Sequence, residues 1–174
     1  LTGVRHRLEP DTVLATVLFT RIVGAKEHAA QLGQDKWSDL LRRLHSHFKK
    51  EIEWFRGREI DMVGDPPLAI FDGPARAIRC ASAITEYASR LGIEMRSGLH
   101  TGECEILDCR VAGVAAEIGM CVATEAKPGE VLVSRTVKDL VAGSGIDFED
   151  RGIRTLTGCG EWRLFAVQRA GRGD

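Results

Sequence analysis

The sequence predicts an α/β sandwich, a mixed β-sheet with helices packed on one or both faces, and three observations predict it. A continuous run of β-prone apolar residues at 13–19 has the character of a buried central strand. Residues 35–55 carry a single apolar stripe at helical spacing. From there, strand-like and helix-like segments alternate to the end of the chain, the pattern of helices covering a sheet.

Residues 1–10 are mixed, with Arg5, His6 and Arg7 among few apolar residues, and read as a lead-in. After the strand at 13–19, the helix at 35–55 places Trp37, Leu40, Leu41, Leu44, Phe48, Ile52 and Phe55 in steps of three and four, and Gly57 closes it. Residues 59–63 and 68–71 read as two strands of a hairpin around the turn Gly64-Asp65-Pro66-Pro67. Asp72 is the predicted N-cap, with Pro74 in the first turn, of a helix that runs to about Leu91 and stops at Gly92. Residues 93–100 and 103–107 are predicted as a strand pair turning at Thr101-Gly102. A small-residue helix at 113–126 is stopped by Lys127-Pro128-Gly129, and 130–133 forms a short strand. Ser134 is predicted to cap a helix through Val141, and 148–151 and 162–167 are late strands. No repeat, linker or low-complexity segment divides the chain. One domain is therefore expected over 11–168, with a tail at 169–174 whose Arg-Gly-Asp ending is too short to carry meaning.

A chain of 174 residues can bury a substantial core, and its 44% apolar and 28% charged residues are ordinary for a globular domain. The net charge of -1 gives no global field for nucleic acid or an anionic membrane, so neither is an expected partner. The longest apolar run is too short to span a bilayer, and no secretory signal opens the chain. A cytoplasmic location is expected, and the start at Leu1 reads as a fragment or processed product. Five scattered cysteines (Cys80, Cys104, Cys109, Cys121, Cys159) do not form a disulfide framework and read as free thiols. Cys104 and Cys109 lack the paired spacing and nearby histidines of a zinc site. His45 and His47, two apart on a helix, point away from each other and read as surface residues.

Five segments then carry a family resemblance. They are Val17-Leu18-Phe19-Thr20-Arg21-Ile22-Val23-Gly24, Gly57-Arg58-Glu59-Ile60-Asp61-Met62-Val63-Gly64-Asp65, Phe71-Asp72-Gly73-Pro74-Ala75-Arg76-Ala77-Ile78, Arg96-Ser97-Gly98-Leu99-His100-Thr101-Gly102-Glu103 and Pro128-Gly129-Glu130-Val131-Leu132-Val133-Ser134. Each is weak alone; in this order and spacing, from about residue 12 to 167, they resemble a class III adenylyl/guanylyl cyclase homology domain of bacterial, actinobacterial type. The resemblance implies a ferredoxin-like core and a head-to-tail dimer with active sites at the subunit interface. It also implies ATP or GTP as substrate, two aspartates holding two Mg or Mn ions on the phosphates, and attack of the ribose 3′-hydroxyl on the α-phosphate.

Position by position, the implied site is degenerate. The first metal aspartate is matched by Arg21, a fixed cation that removes the attraction for a metal. The plainer reading of Arg21 is a surface residue or a bridge to Asp65; the other is a guanidinium pairing with phosphate oxygens in the metal's place. Asp65 matches the second metal ligand, but a lone carboxylate holds Mg²⁺ poorly, and Gly-Asp-Pro is also a plain turn. Pro66-Pro67 removes two N–H groups and reshapes that turn. The purine-reading lysine falls at Asp61 and its partner at Arg110, which changes or erases the base code, or makes an Asp61–Arg110 charge swap.

On the small-residue helix the transition-state asparagine and arginine positions are Glu117 and Cys121, four apart on one face. Glutamate repels phosphates, and cysteine neutralises no charge on the reacting phosphorus. A compensating Cys121 thiolate is the remote reading and a small packing residue the ordinary one. The expectation is an inactive or very weak pseudo-cyclase serving dimerisation or regulation, with no bound cofactor. The alternative is an active cyclase with an altered site, using Mg or Mn, or one half of a heterodimer. A homodimer or heterodimer is the expected assembly, and a monomer is compatible with a drifted helix face.

Overall fold

The computed structural model describes residues 11–60, 68–107 and 110–169. The element order is β1 (Asp11–Ile22), α1 (Ala25–Leu32), α2 (Gln34–Trp54), β2 (Arg58–Ile60), β3 (Leu68–Phe71), α3 (Pro74–Arg90), β4 (Met95–Leu107), β5 (Arg110–Ala112), α4 (Val114–Glu125), β6 (Val131–Ser134), α5 (Arg135–Leu140), β7 (Asp147–Leu156) and β8 (Gly160–Arg169). The strands form one mixed sheet in the order β2-β3-β1-β4-β6-β8-β7, with β5 added on β4. β4 and β6 run parallel, and the other neighbours are antiparallel. The predicted α/β sandwich is thus the observed architecture.

Strand alternation divides the core between two faces. On one face Leu18, Phe71, Met95, Leu99 and Val133 meet Leu44, Phe48 and Ile52 of α2 and Ile78, Ala81 and Ile84 of α3. The predicted stripe of α2 is the one buried here. On the other face Ala15, Val17, Ile70 and Cys104 pack with Ala115 of α4. Further along, Ile118 and Val122 of α4 meet Leu132, Leu164 and Ala166. α4 approaches this face closely at two glycines. A Cβ on Gly98 would sit 2.1 Å from the Ala123 backbone nitrogen, and one on Gly119 would sit 2.6 Å from a Val17 methyl. No side chain fits between helix and strand at either point.

The structure corrects several sequence expectations. Residues 93–107 are not a pair of strands: Met95–Leu107 is one strand, hydrogen-bonded along its whole length to β1. Thr101-Gly102 looks like a turn, but Thr101 is buried and its hydroxyl lies 2.7 Å from that of its cross-strand partner Thr16. That buried pair keeps the ladder continuous. α1 went unread because it buries no residue fully and so shows no stripe. Asp72 is not the N-cap of α3; Gly73 holds that position, and no side chain caps the helix. Pro74 at the first position removes one N–H that would otherwise need a partner. Ser134 sits at the N-cap of α5 but makes no capping bond, because its hydroxyl is engaged by His100 at 2.7 Å. The two late strands are ten residues each, longer than expected. The hairpin pairs Arg58–Ile60 with Leu68–Phe71, and its turn, with Asp61 and Asp65, lies outside the described residues.

His45 and His47 diverge, as their spacing requires. His45 Nε2 lies 2.7 Å from Glu59, while His47 stacks on Tyr87 and approaches Glu51 at 3.2 Å. Among the described residues, no helix is long and apolar enough to cross a membrane.

Candidate functional site

Arg21 lies near the end of β1, directly opposite Arg96 in the β1–β4 ladder. Gly98, two residues on from Arg96, faces α4, so alternation puts Arg96 and its partner Arg21 on the α4 face too. Side chains so paired have their Cβ atoms roughly 5 Å apart. Arg21 is exposed and Arg96 half-buried, and neither is ion-paired or hydrogen-bonded among the described residues. Two permanently protonated guanidiniums side by side repel a dication and attract a polyanion.

Arg110 is exposed in β5, opposite Leu107 at the other end of β4. Eleven residues of β4 separate the Arg96 and Leu107 levels, a distance on the order of 35 Å at ~3.3 Å per residue. Arg21 and Arg110 therefore belong to two separate regions of a single chain. Asp61 and Asp65 lie outside the described residues, and with them the Arg21–Asp65 bridge and the Asp61–Arg110 pair.

Glu117 and Cys121 lie four residues apart on α4, Glu117 exposed and Cys121 half-buried at the helix flank that meets the β7–β8 turn. The buried face of α4 is Ala115, Ala116, Ile118, Gly119, Val122 and Ala123. Cys121 is packed, as a small helix residue should be, but its neighbour was not foreseen. Its sulfur lies 3.3 Å from that of Cys159 in the turn between β7 and β8, and 3.7 Å from the Thr157 carbonyl. Burial, the hydrogen bond with Cys121 and the Glu117 charge push the Cys159 thiol up to about 11. The four described cysteines, Cys80, Cys104, Cys121 and Cys159, are free, and Cys109 lies outside the described residues.

Next to this cluster His100 is buried at 4% exposure, with Nδ1 on Ser134 and its ring against the edge of Trp162 at 5.0 Å. Burial pushes its pKa down to about 4, so it is neutral near pH 7. Sequence reasoning missed Arg96, His100 and Cys159. Arg96 and His100 stand inside a segment noted for resemblance, but only strand register shows what they face. The one signal at Cys159 was a thiol flanked by two glycines.

A mixed sheet with α4 laid across its central antiparallel pair, β1 and β4, is the architecture of the nucleotide cyclase class of fold. The model of the adenylate and guanylate cyclase catalytic domain matches residues 9–169. The chain belongs to the adenylate and guanylate cyclase catalytic domain family. Among solved structures it is similar to the adenylyl cyclase CyaB from P. aeruginosa, with TM-score 0.84, 22% identity, and coverage of 95% of this chain and 98% of that one. It is also similar to the guanylate cyclase domain of RhGC from Catenaria anguillulae in complex with GTP, with TM-score 0.79, 17% identity and coverage of 92% and 97%. The non-canonical dimeric guanylyl cyclase domain of RhoGC from Blastocladiella emersonii aligns with TM-score 0.80, 16% identity and coverage of 91% and 98%. No curated protein sequence matches the chain.

The family's divalent metal ions can be tested against the donor set. At the β1 position the described residues offer Arg21 beside Arg96, and no group of three or more His, Cys, Asp or Glu among them is placed to hold a metal. The described residues alone do not supply a two-metal site, and Asp65 lies outside them.

Proposed function

We propose that the domain, over 11–168 with a lead-in at 1–10 and a tail at 169–174, is a pseudo-cyclase kept for pairing with another cyclase domain and for regulation in the cytoplasm. The observation that carries this reading is Arg21 facing Arg96, at the position that the resemblance matches to the family's first metal aspartate. Glu117 and Cys121 support it, because neither supplies a cationic donor to a reacting phosphate. Removing one such preorganised donor typically costs about 3 kcal/mol in barrier, and several losses need not add. The separation of Arg21 from Arg110 supports the dimer: only a second copy or a related chain, set head to tail, brings the two regions together. The dimeric RhoGC domain shows that this fold makes dimers. Purified protein is incubated with ATP or GTP and Mn²⁺, and cyclic product is quantified. Product at the level of a blank is expected. Turnover well above it, abolished by Asp65→Ala, overturns the reading.

The paired arginines favour a second reading, in which the domain binds a nucleotide through its phosphates without a metal. Titration calorimetry with ATP in chelator then shows binding that weakens with salt and is lost on Arg21→Ala with Arg96→Ala. Binding that requires added Mg²⁺ refutes it.

A further inference from the structure

We propose that Cys121 and Cys159 are a redox-active dithiol that closes reversibly into an intrachain disulfide by exchange with a small-molecule disulfide of the glutathione class. The inference holds whether or not the domain cyclises a nucleotide.

The geometry carries it. The sulfurs lie 3.3 Å apart, 38 residues apart in sequence, so about 1.3 Å of approach brings them to the ~2.0 Å of a disulfide bond. Cys121 is held on a helix whose inner face is locked to the sheet, so the movement falls to Cys159. Cys159 is well suited to move. It ends the three-residue turn 157–159 and is flanked by Gly158 and Gly160, both left-handed at φ 78° and 82° and with open space around their α-carbons. The turn is nonetheless defined: the Cys159 amide donates to the Leu156 carbonyl at 2.9 Å, and the Trp162 indole donates to the Cys159 carbonyl at 2.8 Å. Both thiols are half-buried and reachable by a small reagent, whereas Cys80 and Cys104 are fully buried.

The hydrogen bonds also order the steps. The Thr157 carbonyl accepts from Cys121, leaving the Cys159 S–H to point at the Cys121 sulfur. A Cys159 S–H aimed at the Cys121 sulfur supports negative charge there, so the first attack falls to Cys121. Cys121 loses its proton to solvent and attacks one sulfur of the small disulfide. That S–S bond breaks, one small thiolate leaves and takes up a proton, and a mixed disulfide remains on Cys121. Cys159 then loses its proton and attacks the Cys121 sulfur, expelling the second small thiol. Two cysteine thiols are oxidised by two electrons, and one small disulfide is reduced to two thiols. The raised Cys159 thiol makes the second step faster as pH rises above neutrality. Closure ties the flank of α4, at the position of the family's transition-state arginine, to the β7–β8 turn.

The whole chain, fully reduced, is equilibrated with glutathione disulfide and mapped by peptide mass spectrometry without reduction. The expected result is the loss of two titratable thiols and one linked peptide joining Cys121 to Cys159, regenerated to the dithiol by excess reduced glutathione. A link through Cys109, isolated mixed disulfides alone, or no loss of thiols overturns the proposal. Phenylarsine oxide, which bridges two adjacent thiols, gives a readout that does not depend on oxidation. One equivalent is expected to bind the reduced chain, and none the oxidised chain or folded Cys121→Ser and Cys159→Ser variants. Retained binding in either variant also overturns it.

Discussion

Acidification should destabilise this domain through His100 in a measurable and assignable way. His100 is 4% exposed, its Nδ1 is committed to Ser134 at 2.7 Å, and burial alone holds its pKa at about 4 against an ordinary 6.5. The folded-state value is the lower one. The neutral ring therefore stabilises the fold in full above about pH 6.5, and that stability is lost as pH falls towards 4, because the unfolded chain takes up a proton that the folded one refuses. The interval from 6.5 to about 4, at ~1.4 kcal/mol for each pH unit, is about 3 kcal/mol. Urea unfolding followed by circular dichroism between pH 7.5 and 4.5, on wild type and His100→Gln, isolates the effect, since every other titrating group is shared. The gap between the two should shift by up to about 3 kcal/mol, with wild type losing more stability in acid. Parallel pH profiles would refute the reasoning and show that the ring accepts a proton in place.

Gly98→Ala places a methyl 2.1 Å from backbone that cannot swing aside, so α4 must lift from β4. A loss of about 3 kcal/mol in urea unfolding is expected, and an unchanged midpoint would show that the helix seats less tightly than described. Phe48→Ala empties a site 2% exposed at the centre of the α2 stripe. The expected cost is about 3–5 kcal/mol, and a loss below about 1 kcal/mol would place the side chain outside the core.

Periodicity made the long elements legible. The α2 stripe and the mostly apolar, β-prone run of β1 were visible because each pattern spans several turns or residues. α1 left no such trace, and the Thr101-Gly102 step misled because local turn preference competes with a partner strand roughly eighty residues away. For the site, the resemblance singled out the positions of Arg21, Arg110, Glu117 and Cys121. Their company was not. That Arg21 faces Arg96, or that Cys121 meets Cys159, depends on register and on where a late turn comes to rest, and neither is encoded within any one segment.

The seating of α4 has a consequence for how such a domain changes over time. Its sheet-facing residues are pinned by the absence of side chains at Gly98 and Gly119, while residue 117 points into solvent and 121 stands at the rim of the helix. Replacement of the exposed residue 117 costs the fold little, whereas residue 121 is held by its contacts with the β7–β8 turn. A chain of this architecture can change its solvent-facing helix surface while its glycine-seated inner face stays fixed, which leaves that surface open to being recruited for a new trigger.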